Sequence, residues 1–98
     1  MTSEETSVPI TPDTVPKIAP LFRLQWEEAQ SAHVLLYPEG MVKLGTSAGE
    51  ILKRCTGSQN VAGILAELKE QYPDADLEGD VYRFLEVAYA QGWLRSAG

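Results

Sequence analysis

Few side chains in this 98-residue sequence could do chemistry: one histidine, His33, one cysteine, Cys55, and four clustered carboxylates, Asp74, Asp76, Glu78 and Asp80. A zinc site needs three or four ligands of suitable type, and neither His33 nor Cys55 has such companions nearby in sequence. A Cys–His nucleophile pair requires the two to meet in space. Cys55 falls on the apolar stripe of a predicted helix, where a thiol is a small buried hydrophobe without substrate access. His33 lies in a predicted strand and reads as a partly exposed surface residue. The four carboxylates lack the residue order of a calcium loop and surround a predicted helix N-terminus, where the helix dipole favours negative charge. Gly40-Met41-Val42-Lys43-Leu44-Gly45-Thr46-Ser47 mimics the spacing of a phosphate-binding loop, but Thr46 occupies the lysine position and the intervening residues favour a strand. The expectation is a protein that is not an enzyme and carries no cofactor or metal.

Composition excludes further classes. Fourteen acidic residues against 8 basic ones give a net charge of −6, with no basic cluster. Nucleic acid and anionic membrane surfaces are poor partners on those grounds. A lone cysteine fits a reducing compartment and no disulfide framework. Acids and prolines stand where a signal peptide would have a basic start and an apolar run, and no apolar stretch approaches spanning length. A soluble cytoplasmic chain is the expectation. Residues 1–19, with Pro9, Pro12 and Pro16 among Ser, Thr and acids, read as a flexible N-terminal tail, and residues 20–95 as one small domain.

Three strands are predicted first. Leu21 to Trp26 alternates, placing Phe22, Leu24 and Trp26 on one face. Ala32 to Tyr37 follows, and Met41 to Leu44 after a turn in which Pro38 presets one corner and Gly40 takes a positive φ. Short connections make this an antiparallel meander with the first and third strands at its edges. Three helices come next. Ser47-x-x-Glu50 reads as a capping box for the first, which carries Ala48, Ile51, Leu52 and Cys55 on one face and ends at Gly57. Asn60 caps the second, with Val61, Ile64, Leu65, Leu68 and Tyr72 as its stripe and Pro73 as its stop. Asp76 caps the third, with Leu77, Val81, Phe84, Leu85 and Ala88 inward and Gly92 past its end. The fold class is α+β: a three-stranded antiparallel sheet followed by a three-helix bundle, similar in packing to a winged helix-turn-helix.

Three clusters carry a resemblance to a known family. They are Val34-Leu35-Leu36-Tyr37-Pro38-Glu39-Gly40-Met41-Val42-Lys43-Leu44, the run Ser47-Ala48-Gly49-Glu50-Ile51-Leu52-Lys53-Arg54-Cys55-Thr56-Gly57, and Asp80-Val81-Tyr82-Arg83-Phe84-Leu85 followed by Gly92-Trp93-Leu94. In this order and spacing they resemble the PqqD family, peptide chaperones of pyrroloquinoline quinone biosynthesis, from about Pro20 to Leu94. Gly45 and Thr56 depart from the Asn and Asp common in that family; both lie at helix ends and bear on capping.

The resemblance implies a winged-helix-like module that recognises a ribosomally made precursor peptide and presents it to a radical S-adenosylmethionine (SAM) enzyme, which joins a glutamate and a tyrosine side chain of the precursor. It implies a groove between the third strand and the third helix. Carried over, the peptide-binding residues are Gly40, Met41, Val42, Lys43 and Leu44 of the strand, and Asp80, Val81, Arg83, Phe84, Leu85 and Val87 of the helix. The residues themselves admit the same reading, because an open strand edge is a place to capture an extended peptide. Two rivals use the same elements. A DNA-binding winged helix would present Glu78, Asp80 and Glu86 against Arg83 alone, which repels phosphates. An assembly module would pair the edge strand with its own copy, blocking that edge.

Overall fold

The computed structural model describes residues 9–97. In chain order it contains β1 (Pro16–Ile18), β2 (Arg23–Glu27), a single 3-10 turn (Glu28–Gln30), β3 (Ala32–Tyr37), β4 (Gly40–Lys43), α1 (Thr46–Leu52), α2 (Val61–Gln71), α3 (Glu78–Ala90) and β5 (Leu94–Ser96). Strands β2, β3 and β4 form one antiparallel sheet in that order, and β1 pairs antiparallel with β5 in a second. The fold is mixed α+β with three helices and antiparallel sheets.

The hairpin forms because Pro38 and Glu39 make a two-residue turn that brings Gly40 opposite Tyr37. Along β2 and β3 the partners are Arg23 with Leu36, Leu24 with Leu35, Gln25 with Val34 and Trp26 with His33. Leu35, Leu44, Ile51, Leu52, Cys55, Ile64, Leu68, Val81 and Leu85 are among the residues of one buried core between this sheet and the helices. Asn60 caps α2 as expected, its Oδ1 accepting the Gly63 N–H at 2.9 Å. Gly92 follows α3 at φ +81°, as a helix stop requires.

Several expectations are corrected. The strands do not all precede the helices: β5 follows α3 and closes onto β1. At three residues, β5 is too short to show a period in the sequence. The flexible tail expected over residues 1–19 does not hold for its described part, residues 9–19; residues 1–8 lie outside the described chain. Pro16 is fully buried in β1, and Ile10 and Ile18 pack on the core. The Thr14 and Pro12 carbonyls accept the N–H groups of Val61 and Ala62 at 2.8 and 3.0 Å. Those are donors of the first turn of α2, which have no partner inside the helix. Proline content marks disorder only where nothing needs a strand without an N–H, and β1 is such a strand.

Three smaller differences concern helix ends and one face. The capping box does not form: Gly45 occupies the N-cap of α1 with no side-chain cap, and Glu50 turns instead to Arg54. Asp76 does not cap α3, whose N-cap is Leu77. Helix α1 ends at Leu52, so Gly57 is not its terminator. At φ +85° it donates its N–H to the Pro16 carbonyl at 3.1 Å, and a Cβ there would stand 3.2 Å from the Lys17 side chain. Glycine is needed at 57 for the approach of β1. Trp26, expected on the covered face, is 53 % exposed and packs edge-on to His33 at 5.1 Å between ring centroids.

Candidate functional site

Strand β4 pairs only with β3 among the described residues, so its other flank is open. Which backbone groups face outward follows from the ladder. The Leu44 N–H donates to the His33 carbonyl at 3.0 Å, so Leu44 turns its backbone groups toward β3. In an antiparallel strand these groups alternate sides along the chain. Gly40 and Val42 therefore also face β3, while Met41 and Lys43 present an N–H and a C=O each to the open flank. The edge carries two donors and two acceptors. The sequence centred the open edge on Val42, but that residue directs its backbone to β3 and its side chain to the core.

The strand leads through Leu44 and Gly45 straight into α1, and the first turns of α1 border a cleft of about 430 Å³. Thr46, Ser47, Ala48, Glu50 and Ile51 form one wall, Leu68 of α2 with Tyr72 at its C-cap and Ala75 a second, and Leu77, Asp80, Val81 and Phe84 the third. The size falls within the ~300–1,000 Å³ of small-ligand pockets. The apolar lining exists because Ala48 and Ile51, Leu68 and Tyr72, and Leu77, Val81 and Phe84 recur at helical spacing and turn to one another. Phe84 is held by Trp93, with ring centroids 6.5 Å apart.

The expected residues divide accordingly. Asp80, Val81 and Phe84 line the cleft, while Gly40 to Leu44 do not line it and form the edge strand and its link toward α1. Leu85 has no exposed surface and is a core residue, which corrects its place among peptide contacts. Such a residue serves the packing between helices and offers nothing to a ligand. Val87 is 51 % exposed and lines none of the cleft. Arg83, among the expected peptide contacts, is hydrogen-bonded to Asp80 one turn earlier. Both are largely exposed, so the pair is weak and exchangeable. The α1 and α2 walls were missed. Their signal was the short link from β4 to α1, which forces the first turn of α1 against the end of the strand.

Glu50 on the rim is fixed by Arg54, whose Nη1 donates to Glu50 Oε1 at 2.9 Å and to the Glu50 carbonyl at 2.8 Å. The same guanidinium reaches Glu67 Oε1 through Nε at 3.1 Å and Gln71 Oε1 through Nη2 at 2.6 Å, tying α1 to α2. The Arg54 hydrogen bond holds the Glu50 carboxyl below its ordinary value, against an opposing push from burial and with help from Lys53. Burial pushes the Cys55 thiol up to about 12, and its Sγ donates to the Ile51 carbonyl. A thiol held protonated in the core is not a nucleophile.

Comparison with known proteins places these features in a family. Residues 32–94 match the family described as coenzyme PQQ synthesis protein D (PqqD). A protein of Pseudomonas aeruginosa strain UCBPP-PA14 named PqqA binding protein is 54 % identical over 83 residues, 84 % of this chain and 90 % of that one. A protein of the same name from Azotobacter vinelandii is 49 % identical over 85 residues, 86 % of this chain and 92 % of its own. Among solved structures, the solution NMR structure of the PqqD truncation of Methylobacterium extorquens PqqCD superposes with a TM-score of 0.71 at 28 % identity. The superposition covers 93 % of this chain and 98 % of that one, which is described as a functional, stand-alone recognition element for ribosomally synthesised, post-translationally modified peptides.

Proposed function

The chain belongs to the coenzyme PQQ synthesis protein D (PqqD) family, and from that premise we propose that it is a non-catalytic, cytoplasmic peptide chaperone. It binds the ribosomal precursor peptide of pyrroloquinoline quinone as an added strand along β4. It then presents the peptide to the radical SAM enzyme that cross-links a glutamate and a tyrosine of the precursor. The hairpin β3–β4 takes the place of the wing in a winged-helix-like layout. Supporting the partner are relatives named for binding PqqA and a structural neighbour described as a recognition element.

The observation that carries the reading is the open flank at Met41 and Lys43, on a strand that continues through Leu44 and Gly45 into the α1 wall of an apolar cleft. Four added backbone hydrogen bonds at ~0.5–1.5 kcal/mol each contribute about 2–6 kcal/mol. Micromolar affinity needs about 8 kcal/mol, before the cost of ordering the peptide. Backbone pairing alone falls short. Each apolar side chain buried adds roughly 1.5–3 kcal/mol, so two or three anchors beside Ile51, Leu77, Val81 and Phe84 close the gap. Strand and cleft are therefore both required.

Isothermal titration with the precursor peptide tests this. Lys43→Pro removes an outward N–H while leaving the β3–β4 ladder whole, and should weaken binding by about tenfold or more, since one lost bond and a crowded edge amount to ~1.4 kcal/mol or more. Undiminished affinity in a folded Lys43→Pro chain would count decisively against strand addition. Amide shift mapping should move Gly40 to Leu44 together with Asp80 to Phe84. Shifts confined elsewhere would relocate the site.

A further inference from the structure

A strand added along β4 continues the pleat of the sheet, so its side chains alternate between two faces in step with those of β4. Those faces differ. Val42 lies opposite Leu35 and packs against the core, and the next inward residue, Leu44, is buried. Added residues opposite Val42 and Leu44 therefore turn to the helix side of the sheet. Thr46, the first residue of the α1 wall of the cleft, follows two positions after Leu44. That side offers apolar surface and no spare cation: Glu50 is paired with Arg54 and Lys53, and Asp80 with Arg83. Met41 and Lys43 point to the other side, and both are exposed.

On the outer side, the row Gln25, Val34, Lys43 ends at Lys43. Lys43 makes no ion pair among the described residues. A residue added opposite it becomes its cross-strand neighbour, where an opposite charge stabilises and a like charge destabilises. We propose that the β4 edge selects one class of extended segment: an acidic residue opposite Lys43, flanked by apolar residues opposite Val42 and Leu44. Lys43 is then the residue that sets both specificity and register. The triplet of apolar, acidic and apolar residues is symmetric, so the assignment holds whichever way the added strand runs. A slip of one residue turns the carboxylate toward the helices and the apolar side chains to water. Net charge pulls the other way. A chain of charge −6 attracts cationic segments at long range. That attraction is screened beyond about 8 Å at physiological ionic strength, which leaves the contact with Lys43 to decide.

This selectivity rests on the strand-addition reading, and synthetic peptides separate the two. Full-length wild-type, Lys43→Glu and Arg23→Glu chains, checked for folding by circular dichroism, are titrated at physiological ionic strength and followed by amide NMR. The probes are short capped peptides with threonine flanks. One is centred on leucine, aspartate, leucine; its isomer has the aspartate moved ahead of both leucines; the third carries lysine in place of aspartate. The first should move the amides of Gly40 to Leu44. It should bind wild type about threefold or more tightly than the lysine peptide, the swing from an opposite to a like cross-strand pair. It should beat the isomer by about tenfold or more, because the isomer can turn only one leucine inward. Lys43→Glu should reverse the order of the aspartate and lysine peptides. Arg23→Glu makes the same change in net charge two strands from the edge and should keep the wild-type order. Should Lys43→Glu not fold, the order of the peptides on wild type decides alone. Equal affinities on wild type, or an order unchanged in folded Lys43→Glu, overturn the assignment, as does a reversal in Arg23→Glu. If the precursor peptide moves the amides of Gly40 to Leu44 while the designed peptides show no preference or no binding, the selectivity falls and strand capture stands. A precursor that binds without moving those amides overturns both.

Discussion

Glu50 is the residue at which charge, fold and cleft meet. Its carboxylate is held by Arg54 at 2.9 Å, with side-chain exposures of 18 % and 13 %. A hydrogen bond to a charged group contributes about 1.5–3 kcal/mol, so Glu50→Gln should lower stability at pH 7 by about 1–3 kcal/mol in urea unfolding. The pH dependence has a fixed sign. The folded carboxyl titrates below its ordinary 4.5, so its contribution is present above that pH and fades as the pH falls through 4.5 and beyond. The gap between wild type and variant should therefore close on acidification. A gap that persists undiminished at pH 3 would show that the loss is one of packing. Gly49, one residue earlier, sets a different limit. A Cβ there would stand 2.8 Å from His33 Nδ1 and 3.2 Å from His33 Cβ. The ring nitrogen can swing away, but the Cβ is fixed to β3. Alanine in a helix gains about 1 kcal/mol over glycine, whereas crowding a packed contact costs about 1–3 kcal/mol. Gly49→Ala should destabilise on balance, read as a lower unfolding midpoint.

At the scale of elements, β4 makes opposite predictions for adjacent residues. The Val42 N–H belongs to the ladder with β3, while the Lys43 N–H faces out. Val42→Pro should therefore lower stability by about 1–3 kcal/mol, the cost of leaving a buried ladder carbonyl unpaired. Lys43→Pro should lower it less, because proline is tolerated where a strand has no inward N–H to lose. Comparable losses for both in urea unfolding would refute the assigned side of the ladder. A strand within Leu21 to Trp26, a turn begun by Pro38, the stripes of α2 and α3 and the Asn60 cap were legible in the sequence, because each is set by neighbours within a turn or a pleat; the bounds of β2 and the exposure of Trp26 were not. The cap of α1 was not. Ser47-x-x-Glu50 satisfies the local pattern, but Arg54, Glu67 and Gln71 converge from two helices and draw Glu50 away. The cleft was only half legible for the same reason. Its α3 wall showed as Asp80, Val81 and Phe84, whereas its α1 and α2 walls depend on how three helices cross.

For the whole molecule, the N-terminal segment decides whether the open edge rests on a stable base. Its carbonyls complete the first turn of α2, its strand closes on β5, and Pro16 meets the glycine loop after α1, so one extended segment touches three parts of the fold. Removing it would uncover Ile10, Pro16 and Ile18 together with their partners. Fully buried Pro16 and the two half-buried isoleucines together give on the order of 3 kcal/mol before any hydrogen bond is counted. Domains of this size have only about 5–15 kcal/mol to lose, and near 80 residues the lower end applies. A chain beginning at Pro20 should therefore melt more than about 12 °C below one beginning at Pro9, given ~4–8 °C per kcal/mol for domains of this length. Peptide affinity measured below both midpoints should change far less, because Met41, Lys43 and the cleft residues make no pairing with the segment. Equal midpoints would mean that the strand pairing of Pro16 to Ile18 contributes nothing in solution. A large loss of peptide affinity in a chain still folded would mean that the segment itself is part of the binding surface.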